Sequence, residues 1–199
     1  MRLSTNSTAE SVLAQLQRLS GRQASLQRQV ATGQRIQQPG DDPAAAGRII
    51  AARVERASLQ QYARNADAAL EYSKTSYDAL SRFKSVSDRA SELAVLGAGA
   101  LGEDAMMAYA AEVDQLIEQA ASLGNTRFRN DHVFGGTAVS ASPFTITRDA
   151  AGQITTTAYV GDTGRISVPI AEGAELQPST DAGVNYGLAD FMNRLVALR

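Results

Sequence analysis

Apolar residues in the opening stretch fall on one helical stripe. Val12, Leu16, Leu19, Gln23, Leu26, Val30 and Gly33 are separated by 4, 3, 4, 3, 4 and 3 residues, the 3.5-residue period of a coiled-coil seam. The spacing predicts a helix from about Ala9 to Gly33, with Gly33 suited to the left-handed position that closes a helix. Full burial of the five Leu and Val side chains contributes about 1.5 to 3 kcal/mol each, about 10 kcal/mol together. Ordering about 25 backbone residues costs about 1 to 2 kcal/mol apiece before hydrogen bonds return any of it. Such a helix is marginal alone, so Val12, Leu16, Leu19, Leu26 and Val30 read as a partner-helix interface.

The chain then runs through RIQQPG into DDPAAAG. Asp42 reads as an N-cap and Pro43 as a residue of the first helical turn, where its missing amide proton is no loss. Gly33, Asp41, Asp42 and Pro43 therefore form a structural turn and helix cap. A second, longer helix opens there, with the stripe Leu59, Tyr62, Ala66, Ala69, Ser73, Ser76, Leu80, Phe83, Ser87, Ala90, Ala94 and Gly97. Its many small residues permit close approach but contribute little burial. Carried to Leu96 at about 1.5 Å per residue, it is a rod on the order of 80 Å long.

GAGALGED interrupts the pattern, and Met106, Ala110, Val113, Ile117 and Ala120 resume it in a third helix ending at Gly124. This helix is short enough to fold back antiparallel on the rod. NTRFRNDHVFGGT is rich in turn formers with isolated aromatics, and reads as a turn and a short extended piece leaving the helical body. From about Val139 the period changes to two. Phe144–Thr147, Ile154–Val160 and Ile166–Ile170 are β-rich runs separated by DAAGQ and GDTGR, both good turn chemistry. After PSTDAG, helical spacing returns through Leu188, Phe191, Leu195 and Leu198, and the chain ends in mid-pattern. The fold class is mainly α with a small β domain: long antiparallel coiled-coil helices plus an inserted antiparallel β unit. The expected division is 1–35, heptad helix; 36–138, helical rod; 139–185, β domain; and 186–199, the start of a C-terminal helix, truncated.

Composition sharpens the shape. Among 199 residues there is no Trp, and Phe and Tyr make up 6%, which suits slender helices packed at close range. A net charge of -2 projects no strong field toward nucleic acid or an anionic membrane. The charge is unevenly spread: residues 1–64 carry nine Arg against four acids, the remainder ten basic against seventeen acidic residues. The Arg residues lack interleaved aromatics, so a single-strand nucleic-acid groove is not indicated. Cysteine is absent, which removes disulfides and thiolate metal sites and is compatible with an oxidising exterior. The N-terminus lacks the apolar core of a cleavable signal, and no run reaches the length of about 18 apolar residues that spans a membrane.

Catalytic chemistry finds little footing. GAGALG at 97–102 matches GxGxxG but follows a heptad helix, whereas a dinucleotide loop follows a strand, so it reads as a helix break. Asp41 and Asp42 are adjacent carboxylates that diverge, without a third ligand nearby; helix capping accounts for them. His132 is the only histidine, which removes zinc triads and leaves no recognisable nucleophile elbow; it reads as ordinary loop structure. Asn6-Ser7-Thr8 fits a glycosylation sequon, a very permissive pattern. No enzyme activity and no cofactor are expected.

The polar leader, the helix ending in ATGQRIQQPGDDPAAAGRI, SELAV at 91–95 and NTRFRNDHVFGGT at 125–137 together resemble the flagellin superfamily. Within it the FlgL-type family, that of hook-associated protein 3, is favoured by the proline in DDPAAA and by VFGGT, since flagellin usually reads DDAAG at the first place. The resemblance covers residues 1–137, and 183–199 look like the entry to the family's C-terminal helix. It implies a structural, extracellular protein of the bacterial flagellum, exported by the type III apparatus with an uncleaved N-terminal signal. It implies a junction role between hook-associated protein 1 and the flagellin filament, with copies of itself in a ring. In such proteins N- and C-terminal helices pair in an inner tube and the β domain faces outward. The family's long C-terminal region would begin where this chain stops, so chaperone binding there is not expected of the chain as it stands. Neither nucleic-acid binding nor membrane insertion is implied. The alternative is a flagellin-like filament subunit, which shares the seam but polymerises by itself.

Overall fold

The computed structural model describes residues 3–199 apart from 37, 100 and 101, with side chains from Thr8 onward. The start of the leader, where the resemblance places the export signal, lies outside the described residues, as do the Asn6 and Ser7 side chains of the sequon and two residues of GAGALG. The elements are α1 (Leu3–Thr32), α2 (Pro43–Gly97), α3 (Glu103–Gly124), β1 (Arg127–Phe128), β2 (Asp131–His132), β3 (Phe144–Arg148), β4 (Ile154–Tyr159), β5 (Val168–Ala171), β6 (Ala174–Leu176) and α4 (Ala182–Leu198). They divide into two compact units, Met1–Ser58 and Leu59–Arg199.

The first unit holds α1, the turn after it and the opening of α2. Gly33 has φ of +65°, a left-handed conformation that glycine adopts without a Cβ clash. Asp42 accepts the Ala45 backbone N–H at 3.0 Å, and Pro43 follows as the first residue of α2. Ala45 is buried beside this cap, whereas residues 47–58 are exposed around the whole circumference of the helix.

The second unit is built around the rest of α2. Ala69, Tyr72, Ser76, Ala79, Phe83, Val86, Ala90 and Leu93 are buried, and their spacing of 3 and 4 residues runs unbroken. This corrects the sequence stripe at every second position: Ser73, Leu80, Ser87 and Ala94 are half-buried flanks, and the true seam lies one residue earlier. The reason is that α2 meets several neighbours. Phe83 stands edge-on to both Phe134 and Phe191, with ring centres 6.4 and 6.3 Å apart, so a face broader than a two-helix seam is covered. Val113, Leu116, Ile117, Ala120, Ala121 and Leu123 of α3 join the same core, as do Ala189, Met192 and Leu195 of α4.

The segment 125–137 does not leave the helical body, as its turn chemistry suggests it should. It forms the short hairpin β1–β2, and His132, Val133 and Phe134 are buried. Tyr72 donates its hydroxyl to the Val133 carbonyl at 2.8 Å and packs edge-on to Phe128. Burial, with the Asp131 carboxylate and Tyr159 adding to it, pushes the Tyr72 phenol up to about 12.

The β-rich runs form two separate antiparallel hairpins, β3–β4 and β5–β6. Phe144, Ile154 and Tyr159 enter the common core. Both open edges of β3–β4 are covered by asparagines from helix ends or helices. Asn125 accepts from the Phe144 N–H and donates to its carbonyl; Asn193 does the same for Thr157, at 2.9 Å each way. A side-chain amide thus stands in for a neighbouring strand at one residue of each edge, which blunts that edge locally. β5–β6 is tied to α2 by Asn65, which donates to the Pro169 carbonyl at 2.8 Å.

Candidate helix-packing interface

On α1, the five seam positions share one face and all are open. Val12, Leu16, Leu19 and Leu26 are 53–66% exposed and Val30 is 86% exposed. A shallow groove lies along Val12, Gln15, Leu16, Arg18, Leu19 and Arg22, and a second along Gln23, Leu26, Gln27, Val30 and Ala31. Helix geometry places them in line because residues three and four apart stack on one face. Leu13, 59% exposed, widens the stripe on one side, and Arg18 and Arg22 rim the other. Sequence reading had not singled out these three; the signal for Leu13 and Arg22 was their spacing of three or four residues from seam positions, and Arg18 directly precedes Leu19. Apolar side chains left in water over several turns are a surface awaiting cover.

The cap cluster sits apart from the seam. Thr32 donates to the Arg28 carbonyl and accepts from Gln34 N–H, which closes α1 ahead of Gly33. Asp41 accepts the Gln38 N–H at 3.0 Å. Asp42 accepts from Ala45 and, at 3.3 Å, from the Arg35 guanidinium. The Ala45 amide above all, with help from Arg35 and the Ala44 amide, holds the Asp42 carboxyl below its usual range, against desolvation that pushes the other way. Gly33 follows the end of α1 and Asp41, Asp42 and Pro43 stand at the start of α2, where the carboxylates accept backbone N–H groups and Asp42 also meets Arg35.

His132 is a buried strand residue, not a loop residue. Arg127 Nε donates to its Nε2 at 3.1 Å, and Nδ1 has no hydrogen-bond partner among the described residues. Burial and the Arg127 cation hold its pKa below 6.5, while the Asn125 backbone acts in the other direction. Among the described residues no group of three His, Cys, Asp or Glu side chains is placed to hold a metal ion, and no helix is long and apolar enough to cross a membrane.

Residues 3–138 match the bacterial flagellin N-terminal helical region, and the chain belongs to that family. It is 27% identical over 146 residues to flagellar hook-associated protein 3 of Salmonella typhimurium, an alignment covering 72% of this chain and 46% of that protein. The chain therefore spans about half the length of that curated relative. The fold is shared with a putative flagellar hook-associated protein from Vibrio parahaemolyticus, at 19% identity and a TM-score of 0.65 over 80% of this chain and 71% of that one. It is shared likewise with FlgL of Bacillus cereus, at 24% identity and a TM-score of 0.57 over 77% and 71%. The flagellar junction protein FlgL from Legionella pneumophila gives 21% identity and a TM-score of 0.54 over 71% and 41%.

Proposed function

We propose that the chain is a structural subunit of the bacterial flagellum, seated at the hook–filament junction between hook-associated protein 1 and the flagellin filament. It acts by helix packing and carries out no catalysis. The observation that supports this is the uncovered apolar stripe of α1 in a chain of the flagellin family. Val12, Leu16, Leu19, Leu26 and Val30 meet the helices of neighbouring subunits, while Gly33, Asp41, Asp42 and Pro43 set the direction in which the chain enters α2. In this reading residues 1–35 are the assembly and export region, 36–138 the rod, 139–185 the outward-facing β part, and 186–199 the opening of a further helix. The protein resides outside the cell, reached through the flagellar export apparatus without cleavage of a signal peptide.

The test is binding of the purified chain to hook-associated protein 1 and to flagellin. Leu16→Asp and Leu26→Asp, each placing a charge in the seam, abolish binding and leave the melting of the second unit unchanged. Wild-type binding by both variants overturns the assignment. Growth of long filaments from the purified chain alone overturns the junction role and makes it a filament subunit.

A further inference from the structure

Residues 33–42 join α1 to α2 within the first unit, and their hydrogen bonds close them into two short pieces. On the α1 side, the Gln34 N–H donates to the Thr32 hydroxyl at 3.3 Å, and the Gln29 side-chain amide donates to the Arg35 carbonyl at 3.2 Å. These bonds straddle Gly33, whose φ of +65° turns the chain off the helix. On the α2 side, the Asp41 N–H donates to the Gln38 carbonyl and the Asp41 carboxylate accepts the Gln38 N–H, at 3.0 Å each. Asp42 then caps α2 through Oδ1, which accepts the Ala45 N–H at 3.0 Å.

Each piece is bound to the helix it adjoins, and Arg35 bridges them. Its carbonyl is held by Gln29 of α1, while its guanidinium donates to Oδ2 of Asp42 at 3.3 Å. The cap uses Oδ1 and the bridge Oδ2, so one carboxylate serves both with separate oxygens. Ala45 is buried beside it, and Gln29, Ile36 and Asp42 are half-buried. Capping alone requires only a side-chain acceptor at position 42; it does not require a guanidinium that is anchored by its own carbonyl to the preceding helix.

We infer that Arg35 is a positioning residue: its ion pair with Asp42 sets the angle at which α1 leaves the opening of α2. The inference rests on the assembly role proposed above, since a preset angle presents the α1 seam to a neighbouring helix in one direction and reduces the ordering that binding must impose. The Arg35 and Asp42 side chains are 72% and 31% exposed, so the pair is weak and screened by salt. It selects among hinge angles and leaves the helices themselves intact. Salt and single charge changes therefore move α1 as a body.

The chain has no cysteine, so spin labels placed through Ser20→Cys on α1 and Ala52→Cys on α2, both exposed positions, report the angle in the whole chain by double electron–electron resonance. At about 50 mM salt one main distance is expected. In Arg35→Gln, and in the parent chain at about 1 M salt, where the screening length falls to about 3 Å, the population outside that distance rises about two- to fivefold, the weight of an exposed ion pair. Arg35→Lys keeps the charge and holds the main distance at low salt. Asp42→Asn separates the bridge from the cap: asparagine caps as well as aspartate, so helicity by circular dichroism stays the same while the distances spread. Unchanged distances in Arg35→Gln or Asp42→Asn, no response to salt, or spreading in Arg35→Lys equal to that in Arg35→Gln overturns the inference. The assembly reading is judged separately: a parent chain that binds neither hook-associated protein 1 nor flagellin removes that reading, and the distances still decide the role of Arg35.

Discussion

At the scale of single residues, the second unit is held by side chains whose surroundings leave little room for change. His132 is 2% exposed and accepts from Arg127, so a proton on Nε2 would both break that bond and set two cations together. In the unfolded chain the imidazole takes up a proton near pH 6.5; in the folded chain it does so only at lower pH. The unfolded state therefore binds more protons as the pH falls, and the stability contributed by the neutral ring is complete above pH 6.5 and lost on descent through the folded value. Urea midpoints of the wild-type second unit should fall between about pH 7 and about pH 5, and those of His132→Gln should fall less; parallel curves would remove His132 as the cause. Gly136 makes a steric demand of the same severity. It has φ of +67°, and a Cβ there would stand 2.3 Å from the Asp162 carbonyl oxygen. Gly152 has φ of +85° with nothing within 4 Å. The left-handed conformation alone costs about 1 to 2 kcal/mol, which is the expected loss for Gly152→Ala. Gly136→Ala should lose about 3 kcal/mol or more, because backbone must also move. Equal losses in denaturant melts would refute this view of the VFGGT turn.

At the scale of elements, α2 carries one continuous seam whose register decides which substitutions matter. Val86 and Ser87 are adjacent, yet the first is 2% exposed and the second half-buried. Val86→Ala should cost about 1 to 3 kcal/mol through the cavity it leaves, and Ser87→Ala less than about 0.5 kcal/mol; the opposite order in urea melts would restore the stripe read from the sequence. That stripe was legible as a period and not as a register. Ala, Ser and Gly occupy so many of its positions that both flanks fit, and only the additional neighbours Phe134 and Phe191 settle which side of Phe83 is enclosed. α1, α3 and the strands β3, β4 and β5 were legible because their periods run over several residues of one kind. The two-residue strands β1 and β2 and the three-residue β6 offer no period to detect. Nor does local sequence reveal that Asn125 and Asn193 act as strand edges. Asn193→Ala removes acceptor and donor from both backbone groups of Thr157. Leaving part-buried partners unsatisfied costs about 1 to 3 kcal/mol, which thermal melting of the second unit will register against Asn130→Ala, a change at an exposed position.

At the scale of the whole molecule, burial is distributed in two regimes. Residues 59–199 share one core joining α2, α3, α4 and β3–β4, whereas the first unit keeps its apolar stripe and the opening of α2 in water. The exposed apolar stripe of the candidate interface was legible in the sequence because Leu and Val recur at a period of 3.5 residues over about five turns. The full exposure of the 47–61 stretch was not legible, since a scattered arginine looks alike in sequence whether it meets solvent or a neighbour. Helical segments of about 15 residues are marginal in water without packing, so the exposed 47–61 stretch should open locally far more often than the packed part of the same helix. Brief trypsin treatment should therefore cut first within the first unit, after Arg48, Arg53 or Arg56 as well as after the exposed arginines of α1 and its following turn, and leave the core unit intact, although Arg82, Lys84 and Arg89 lie further along α2. Mass analysis of the early products reads the order directly, and first cleavage at any of those three later sites would show that the two parts of α2 are equally stable.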